Sequence, residues 1–503
     1  MIKGYDSGLS SVQLSQQMED FLFEINPWWQ GKPAPRLPPF RRFLFKPLLQ
    51  RLKNGLAPVT VLRGPRQVGK TTLQQQIIEC LLAIEKINSR QILRVQFDEI
   101  PSLKGIVDPI LTFSRWFQRR ILKKTFNESA RDGEPVYIFL DEVQNLDDWA
   151  PQVKSLVDHH DVRVLLTGSS ALRIERGRDS LAGRISTLEL GTLTLREVAV
   201  LRNFGEIPEL LPWNGLNHIR LKEFWQDLVE LGKKHSATRD RAFEAFSERG
   251  GYPVAQARAD LPWEDIASHL NETVIQRVIV HDLRLGEKGR KRDQALLEEI
   301  FRICCRYAGQ APGQAIFVQE LKRALEANVG FQRVLAYLRF LHESLLIRLV
   351  PPLEIRLKRK KGNAKVCLCD HGLRASWLQE RIPLALKALQ SSLHLMDLAG
   401  HIAESVVGYY LASIPGMQVA WFPERGAEPE VDFVLTVGEY RIPLEVKYRL
   451  HIDQHRDTIG LRAFLEKTVY NAPFALLITL RDDLKVDDPR IVSMPLSTFL
   501  LLR

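Results

Sequence analysis

Cysteine is scarce in this sequence, with only five thiols in 503 residues. They form no Cys-x-x-Cys pair and no evident disulfide framework, a usage that fits a reducing compartment. Long apolar runs are also missing, because no stretch approaches the roughly 18–20 residues that cross a membrane. The first residues, MIKGYDSGLSS, lack the basic-then-apolar order of a signal peptide. These absences predict a cytoplasmic protein without a membrane partner.

What the sequence has in excess is positive charge. Seventy Lys and Arg residues against 60 Asp and Glu residues give a formal net charge of +10, in a chain that is 45% hydrophobic and 26% charged. This composition is typical of a globular protein, and its basic surplus suits a polyanionic partner without requiring one. The length exceeds what one hydrophobic core supports, so we expect three or four domains.

A glycine-rich loop lies between a short apolar strand and a helix in PVTVLRGPRQVGKTT, residues 58–72. It matches the pattern GxxxxGK(S/T) completely. Glycines let successive backbone N–H groups point at phosphate oxygens, while Lys70 adds charge for the β and γ phosphates and Thr71 offers a hydroxyl to Mg²⁺. The predicted nucleotide-binding residues are Gly64, Pro65, Arg66, Gln67, Val68, Gly69, Lys70, Thr71 and Thr72.

A second motif follows in VYIFLDEVQ, residues 136–144. It is an apolar run that ends in two acidic residues, and such a run is typical of a parallel strand buried on both faces. The end of this strand is expected to lie beside the glycine-rich loop. Asp141 would then hold Mg²⁺, and Glu142 could orient or deprotonate the attacking water. Paired with the glycine-rich loop, this motif predicts binding and hydrolysis of ATP.

Another strand, VRVLLTGSS at 162–170, ends in polar residues suited to sensing the γ-phosphate, namely Thr167, Ser169 and Ser170. Strands and helices alternate through residues 58–190. This alternation predicts a doubly wound α/β domain of the P-loop NTPase class. The predicted catalytic residues here are Lys70, Glu142 and Ser169.

The segments GPRQVGKTTL, FLDEVQNLDDW, LLTGSSALRI and SLAGRISTLELGTLTLREV together resemble prokaryotic AAA+-type ATPases of the clade related to signal-transduction NTPases. The resemblance implies an AAA+ core at 46–194, after an N-terminal extension at 1–45, and a homo-oligomer that could form a ring. It also implies an arginine that reaches the nucleotide of a neighbouring subunit. Arg184 is the candidate, with competition from Arg173, Arg176 and Arg178.

Residues 195–292 have a helical pattern, as expected for the small lid of such an ATPase. Within them, RGGYPVAQ resembles the family's Gly-Gly-x-Pro turn, which closes over the adenine. Gly251 and Pro253 are the residues assigned to that contact, together with Gly250. The alternative is an ordinary helix cap.

Residues 293–364 contain three helix-like stretches followed by a basic hairpin, a winged-helix pattern with 331–343 as its recognition helix. Cations in the wing could neutralise several DNA phosphates and make binding depend strongly on salt. A solvated loop or a winged helix that binds protein is the alternative. The predicted DNA-binding residues are Arg356, Lys358, Arg359, Lys360 and Lys361, with Lys365 assigned to the same wing and a second cluster at Lys288, Arg290, Lys291 and Arg292.

The segment RIPLEVKYR, residues 441–449, has the period-2 pattern of a half-buried strand, with Glu445 and Lys447 on one face. Two strands are predicted here, at 431–437 and 440–447, and the turn at Gly438 between them would bring Asp432 and Glu445 together. Two such carboxylates repel unless a cation lies between them. A helix at 399–413 adds Glu404.

This set of Glu404, Asp432, Glu445 and Lys447 resembles the metal site of the PD-(D/E)xK nuclease superfamily, with Val431 in place of the proline. KVCLCDHGLRASW, AGHIAESVVGYYL, EVDFVL and PLEVKY resemble the uncharacterised C-terminal domain that commonly follows these ATPases. The resemblance implies a restriction-endonuclease-like α/β domain at 365–503. In it, the three carboxylates would bind a second Mg²⁺ or Mn²⁺, and Lys447 would be catalytic. Metal binding without cleavage and structural salt bridging remain alternatives.

Two functions are therefore expected. The first is an ATP-driven translocase or remodeller of DNA, or a nuclease-linked motor. In either case DNA is expected to stimulate ATP turnover. The alternative is a regulatory nucleotide switch that binds a protein partner and carries a non-cleaving nuclease-like domain.

Overall fold

In the computed structural model the chain divides into two units, Met1–Gly64 with Gly69–Leu190, and Pro65–Val68 with Gly191–Arg503. Each unit has a five-stranded sheet of its own. The structure describes residues 14–33, 36–55, 57–98, 105–146, 148–168, 181–212, 215–282, 293–326, 328–354, 362–424, 426, 428–484 and 486–503.

The sheet of the first unit is parallel throughout, with the strand order β2-β3-β4-β1-β5. Its central strands are almost fully buried, which explains their continuous apolar sequences. The predicted α/β core with a parallel sheet is thus confirmed. The strands are β1 (Val59–Arg63), β2 (Ile92–Gln96), β3 (Tyr137–Asp141), β4 (Arg163–Gly168) and β5 (Ile185–Glu189).

The first unit has six α-helices in the described residues. A helix follows the glycine-rich loop, as predicted, and begins at Lys70. The helices are α1 (Gln16–Ile25), α2 (Phe45–Asn54), α3 (Lys70–Ala83), α4 (Pro109–Phe117), α5 (Phe126–Arg131) and α6 (Trp149–His159).

The segment after α1 covers the open edge of β2. The Asn26 side chain accepts from the Arg94 N–H at 2.7 Å and donates to the Arg94 carbonyl at 2.9 Å, as a neighbouring strand would. The indole N–H groups of Trp28 and Trp29 both donate to the Ile92 carbonyl, at 3.2 and 2.9 Å. These contacts satisfy polar groups that an edge strand leaves open. Within the segment predicted as an N-terminal extension, Met18 and Leu22 belong to the hydrophobic core of the first unit.

The second unit begins with helices, consistent with the helical pattern of residues 195–292. A stretch with π-helical hydrogen bonding, Asn271–Asp282, follows α12. The α-helices of this unit are α7 (Leu195–Leu201), α8 (Leu216–Ile219), α9 (Lys222–Lys234), α10 (Ser236–Arg249), α11 (Pro253–Ala257), α12 (Trp263–Leu270), α13 (Gln294–Arg306), α14 (Gln314–Leu325), α15 (Phe331–Glu343), α16 (His371–Leu378), α17 (Leu386–Gln390), α18 (Met396–Ala412), α19 (Ile459–Leu465) and α20 (Leu496–Phe499).

A two-stranded antiparallel hairpin follows α13, α14 and α15. It pairs β6 (Ile347–Val350) with β7 (Lys365–Leu368), with Val350 opposite Lys365. The bounds of α15 equal those of the predicted recognition helix, although the winged-helix assignment itself stays a prediction. The predicted domain border between residues 364 and 365 falls inside this hairpin. The hairpin therefore joins the two predicted domains.

The second unit's larger sheet is mixed, with the order β12-β11-β10-β9-β8. β9 pairs antiparallel with β8 and β10, whereas β11 pairs parallel with β10 and β12. The helices α18 and α19 both pack on β10. The expectation of a half-buried β10 is therefore wrong, because Glu445 is buried as well as its apolar neighbours. The strands are β8 (Gln418–Phe422), β9 (Val431–Val437), β10 (Tyr440–Lys447), β11 (Ala475–Thr479) and β12 (Ile491–Pro495).

All five cysteines are buried free thiols. None of the helices in the described part of the chain combines the length and the apolar character needed to span a bilayer.

Candidate functional site

The glycine-rich loop connects β1 to the first turn of α3. Gly69, at the helix N-cap, has φ of +92°, in the left-handed region that favours glycine, and Gln67 has φ of +62°. Lys70 is buried, and its Nζ donates to the Gly64 carbonyl at 3.0 Å. Helix N-termini attract anions because their first N–H groups have no partner within the helix. The loop thus places an ammonium group beside a helix N-terminus.

Asp141 lies at the end of β3 and is buried in a shell of hydroxyl groups. Its Oδ2 accepts from the Thr71 hydroxyl at 2.9 Å, and its Oδ1 accepts from the Thr167 hydroxyl. Burial raises the pKa of Asp141, an effect that the Thr167 hydrogen bond opposes. The structure therefore brings together Thr71, Asp141 and Thr167, three residues that the sequence assigned to one site.

The residues at this site fit a magnesium ion. A threonine hydroxyl and a carboxylate are hard oxygen donors, and here they are already in contact across the sheet edge. Thr71 and Asp141 would hold the ion. When bound, Mg²⁺ would neutralise charge on the phosphates during transfer.

Glu142 has a strained backbone. Its φ is +50°, a left-handed conformation that costs a non-glycine residue on the order of 1 kcal/mol and is frequent at functional sites. Its Oε2 accepts from the Gln144 side-chain amide, which fixes the direction of the carboxylate. Gln144 was not predicted as a site residue. The role of Glu142 as the catalytic base stays a prediction.

Arg94 is a further residue that the sequence reasoning missed. It is buried in β2, and its Nη2 lies 3.7 Å from Asp141 Oδ2. The guanidinium also donates to Gln74 Oε1 at 3.3 Å and to Gln96 Oε1 at 2.5 Å. The signal that could have found it is a charged residue in the middle of the apolar strand ILRVQ.

Arg184, predicted to act on a neighbouring subunit, is engaged within its own chain. Its Nη2 donates to Asp158 Oδ2 at 3.2 Å, its Nε donates to Asp158 Oδ1, and its Nη1 donates to the Ala182 carbonyl at 3.2 Å. The hydrogen bond from Arg184 lowers the pKa of Asp158. The trans role stays a prediction. Ser169 and the competing Arg173, Arg176 and Arg178 lie outside the described residues.

The Gly250-Gly251 turn is fastened to protein groups. Gly250 has φ of +73°, and a Cβ there would lie 2.1 Å from Asp370 Oδ1. The Gly251 N–H donates to Asp370 Oδ2 at 2.5 Å, and the Gly251 carbonyl accepts from Leu193 N at 2.7 Å. The glycines thus allow close approach to a buried carboxylate. The predicted adenine contact of Gly251 and Pro253 stays a prediction.

Three predicted carboxylates meet in the second unit. Glu404 lies on α18, Asp432 on β9 and Glu445 on β10. The hairpin register pairs Phe433 with Leu444, so Asp432 and Glu445 come next to each other, and Asp432 Oδ2 accepts from Val446 N at 2.8 Å. We call Glu404, Asp432 and Glu445 the carboxylate cluster.

Burial and mutual repulsion change the protonation of this cluster. Burial raises the pKa of Glu445 to about 8, with a further contribution from Asp432 and an opposing one from Lys447. Burial, followed by repulsion from Asp432, also raises the pKa of Glu404. Lys447 Nζ donates to Glu445 Oε1 at 2.5 Å, so this lysine is tied to the cluster as predicted from their shared face.

The assignment of Lys365 to the wing is wrong. Its side chain is only 2% exposed, and its Nζ donates to Glu404 Oε1 and lies 3.4 Å from Asp432 Oδ1. A basic run in the sequence suggested a solvated loop, but Lys365 is the first residue of the buried strand β7. The other wing residues, Arg356, Lys358, Arg359, Lys360 and Lys361, and the cluster at 288–292 lie outside the described residues.

The carboxylate cluster as found does not fit a divalent metal. In the part of the chain that the structure describes, no group of three or more His, Cys, Asp or Glu side chains is arranged to hold a metal ion. Three of the oxygens are already engaged, because Glu404 Oε1 and Asp432 Oδ1 face Lys365 and Glu445 Oε1 faces Lys447.

Two family models match parts of the chain. Residues 57–199 match the model described as AAA domain, and residues 240–382 match that of a domain of unknown function (DUF8612). The AAA match contains the glycine-rich loop, Asp141, Glu142 and Arg184. The carboxylate cluster lies outside both matches.

Similar proteins include an uncharacterized protein of Methanocaldococcus jannaschii, 24% identical over 462 residues, which are 90% of this chain and 86% of that protein. An uncharacterized protein of Mycobacterium tuberculosis is 26% identical over 377 residues, 72% of this chain and 67% of its own. Among solved structures, the Walker-type ATPase of Pyrococcus abyssi aligns with a TM-score of 0.41 and 14% identity, covering 69% of this chain and 99% of that one.

The AAA match coincides with the parallel sheet whose edge carries Lys70, Thr71 and Asp141. Sequence family and site geometry therefore agree over the same residues. Together they support a P-loop ATPase.

Proposed function

We propose that this protein is an AAA+-type ATPase that couples ATP hydrolysis to the remodelling or translocation of DNA. The observation that carries the ATPase part is the Thr71–Asp141 contact directly beside Lys70 and the N-terminus of α3. In this proposal Lys70 and the loop N–H groups bind the phosphates. Glu142, held by Gln144, accepts the proton of the attacking water.

The DNA part of the proposal is supported by the hairpin of β6 and β7. Three helices precede it, and its connecting segment carries the predicted cations at 356–361. The chain's net charge of +10 favours a polyanionic partner. Cleavage of DNA is not part of the proposal, because Lys365 engages the carboxylates that a catalytic metal would need.

The test is ATP turnover of the full chain, measured without DNA and with single-stranded, duplex and branched DNA. We expect turnover to rise with at least one DNA. Lys70→Ala should abolish phosphate binding, whereas Glu142→Gln should bind ATP and turn it over about 100-fold more slowly. If no DNA binds or changes turnover, the DNA part fails and the ATPase part stands.

The wing is tested by Lys358, Lys360 and Lys361 replaced together by Ala. Each lost phosphate contact should reduce the slope of log affinity against log salt by about 0.9 for duplex DNA. The matched control replaces three exposed lysines of the second unit, namely Lys233, Lys234 and Lys387. Equal slopes for the wing variant and the wild type would place the DNA contact elsewhere.

Assembly belongs to the same proposal. If Arg184 completes the site of a neighbouring subunit, mixing Arg184→Ala with Lys70→Ala chains should restore part of the turnover. Each mixed interface can then combine an intact loop with an intact arginine. A chain that stays monomeric with ATP and DNA and still hydrolyses ATP normally would exclude this arrangement.

The second function is a nucleotide switch that binds a protein partner. The ion-paired carboxylate cluster favours it, because carboxylates that face Lys365 suit binding better than metal-dependent cleavage. ATP-dependent binding of a protein by the Glu142→Gln variant, with no response to any DNA, would select the switch.

A further inference from the structure

The ammonium of Lys365 is an unusual polar group of the second unit, because it is buried. A lysine is almost never fully buried unless it is paired, because its charge loses hydration. The Lys365 side chain is 2% exposed and lies on β7, at the start of the strand that closes the hairpin with β6. Its position therefore requires compensating charges.

The spacing of β7 and α18 explains why the ammonium reaches Glu404. Lys365 and Cys367 are two apart on a strand and point to the same face, while Glu404 and Gly408 are four apart on a helix and share a face. A Cβ on Gly408 would lie 2.4 Å from Cys367 Sγ. Strand and helix can thus approach closely at Gly408, which brings Lys365 against Glu404.

The ammonium uses its donors on acidic oxygens from α18 and β9. Nζ donates to Glu404 Oε1 and lies 3.4 Å from Asp432 Oδ1 and 3.3 Å from the Asp432 carbonyl. Glu430 Oε1 follows at 3.6 Å. Burial alone lowers the pKa of Lys365, but Glu404 and Asp432 outweigh it, so that the pKa is raised above its ordinary value. The lysine is therefore a fixed positive charge.

One buried carboxylate oxygen of the cluster is left over. Glu445 Oε2 is buried and has no hydrogen-bond partner among the described residues, whereas Glu445 Oε1 accepts from Lys447. Without Lys365, Glu404 Oε1, Asp432 Oδ1 and Glu445 Oε2 would be three carboxylate oxygens in one buried site. Carboxylate oxygens of this kind are the ligands of Mg²⁺ and Mn²⁺.

We infer that the Lys365 ammonium takes the place of a divalent cation in the carboxylate cluster, so that the folded chain holds these carboxylates without a metal. The ammonium and a metal ion exclude each other, because both carry positive charge and require the same oxygens. Lys365 thereby ties β7 to α18 and β9. This inference does not depend on the proposed ATPase or on DNA.

The test compares full-length chains that all carry Asp141→Asn, which removes a ligand of the nucleotide-site metal. The test variant is Lys365→Met, which introduces a neutral side chain of similar length. The matched control is Lys447→Met, which removes the lysine that donates to Glu445. Thermal unfolding is measured in EDTA and in millimolar Mn²⁺, and bound Mn²⁺ is counted by electron paramagnetic resonance.

We expect no Mn²⁺ response in the parent chain or in Lys447→Met. Lys365→Met should unfold at lower temperature in EDTA, gain at least about 2 °C with Mn²⁺, and bind one additional ion. Equal Mn²⁺ responses in the parent and in Lys365→Met would overturn the inference. So would the absence of any response in a folded Lys365→Met chain.

Should Lys365→Met fail to fold in EDTA, recovery of folded chain in Mn²⁺ supports the inference. If it folds in neither condition, Glu404→Gln is added to it. This double variant lacks both the Lys365 ammonium and the Glu404 carboxylate that pairs with it. It should fold without metal, because residue 404 then carries no buried negative charge that needs a cation. A double variant that still fails to fold contradicts the role of Lys365 as the cation of the cluster.

Discussion

Two buried acidic sites in this protein have different partners. In the first unit, Asp141 accepts hydrogen bonds from the neutral hydroxyls of Thr71 and Thr167, and the guanidinium of Arg94 lies at 3.7 Å, beyond hydrogen-bond distance. In the second unit, Glu404 and Asp432 face the ammonium of Lys365. A hydroxyl leaves the charge of a carboxylate available for a cation, whereas an ammonium cancels it. The residue types alone do not distinguish a metal site from an ion-paired cluster; the partner of each oxygen does.

The largest expected difference between the two sites is in ATP turnover. Asp141→Asn should lower it about 100-fold or more, because the carboxylate assigned to hold Mg²⁺ beside the phosphates is lost. Asp432→Asn should leave turnover unchanged within error, since Asp432 lies in the second unit, where its side chain accepts from Lys365 and Val446. Steady-state turnover of both full-length variants, each shown to be folded by thermal unfolding, measures this.

An equal loss of turnover in both folded variants would contradict the expected difference between the Asp141 site and the carboxylate cluster. It would mean that the carboxylate cluster takes part in ATP hydrolysis. The Asp432→Asn variant is the informative one, because loss of activity in Asp141→Asn alone is expected of any P-loop ATPase.

A second prediction concerns Arg94, the cation that lies near Asp141. Arg94→Met removes the guanidinium near Asp141 and leaves Gln74 and Gln96 without their donor. We expect a loss of about 1–3 kcal/mol in the free energy of unfolding without nucleotide, and a larger stabilisation by Mg-ATP than in wild type. Chemical denaturation with and without Mg-ATP measures both.

Arg94→Lys is the matched control, since it keeps the charge and gives up part of the hydrogen bonding. It should lie between wild type and Arg94→Met. If Mg-ATP stabilises all three chains equally, Arg94 has only a structural role, and the Asp141 site does not depend on its neighbouring cation.

A third prediction follows from the protonation of Glu445. Its folded-state pKa of about 8 lies above the ordinary value of 4.5, so the folded chain binds more protons than the unfolded chain between these values. Stability from this group is therefore present at low pH and falls as pH rises toward about 8. Glu445→Gln should remove part of that fall, measured as the unfolding free energy at about pH 5 and about pH 8.5.

Asp158→Asn is the control for this measurement, since the pKa of Asp158 is lowered by Arg184 rather than raised. It should not flatten the loss of stability between neutral and alkaline pH. A Glu445→Gln profile parallel to that of the wild type would show that Glu445 is already ionised in the folded chain.

The contact between Thr71 and Asp141 follows from sequence patterns that are local. The loop 64–69 and the strand end at Asp141 are defined by short patterns, and a parallel sheet brings strand ends to one edge. The hairpin of β9 and β10 is equally local, and its predicted strand bounds are those observed. Neighbouring residues carry enough information in these cases.

Short sequence patterns did not predict contacts between residues that are far apart in the sequence. Lys365 stands next to a basic run, which suggested a wing, yet its partners lie 39 and 67 positions away. Asn26 covers the β2 edge at Arg94 across 68 positions. These contacts depend on how a strand packs on a helix, or on how a segment packs on the edge of a sheet. The carboxylates were found from the sequence, but the cation between them was not.

The smallest expected effect concerns Arg184 and Asp158, an exposed pair in the first unit. Exposed ion pairs contribute little to stability, because water and salt screen them. Asp158→Ala should therefore leave the unfolding midpoint unchanged within error. If Arg184 acts on a neighbouring subunit, Asp158→Ala should keep or raise turnover at a chain concentration that favours assembly, because the guanidinium is released, whereas Arg184→Ala should lower it. Turnover measured against chain concentration separates the two variants. Identical loss in both would show that the pair acts together within one chain, and identical wild-type turnover in both would remove Arg184 from the catalytic site.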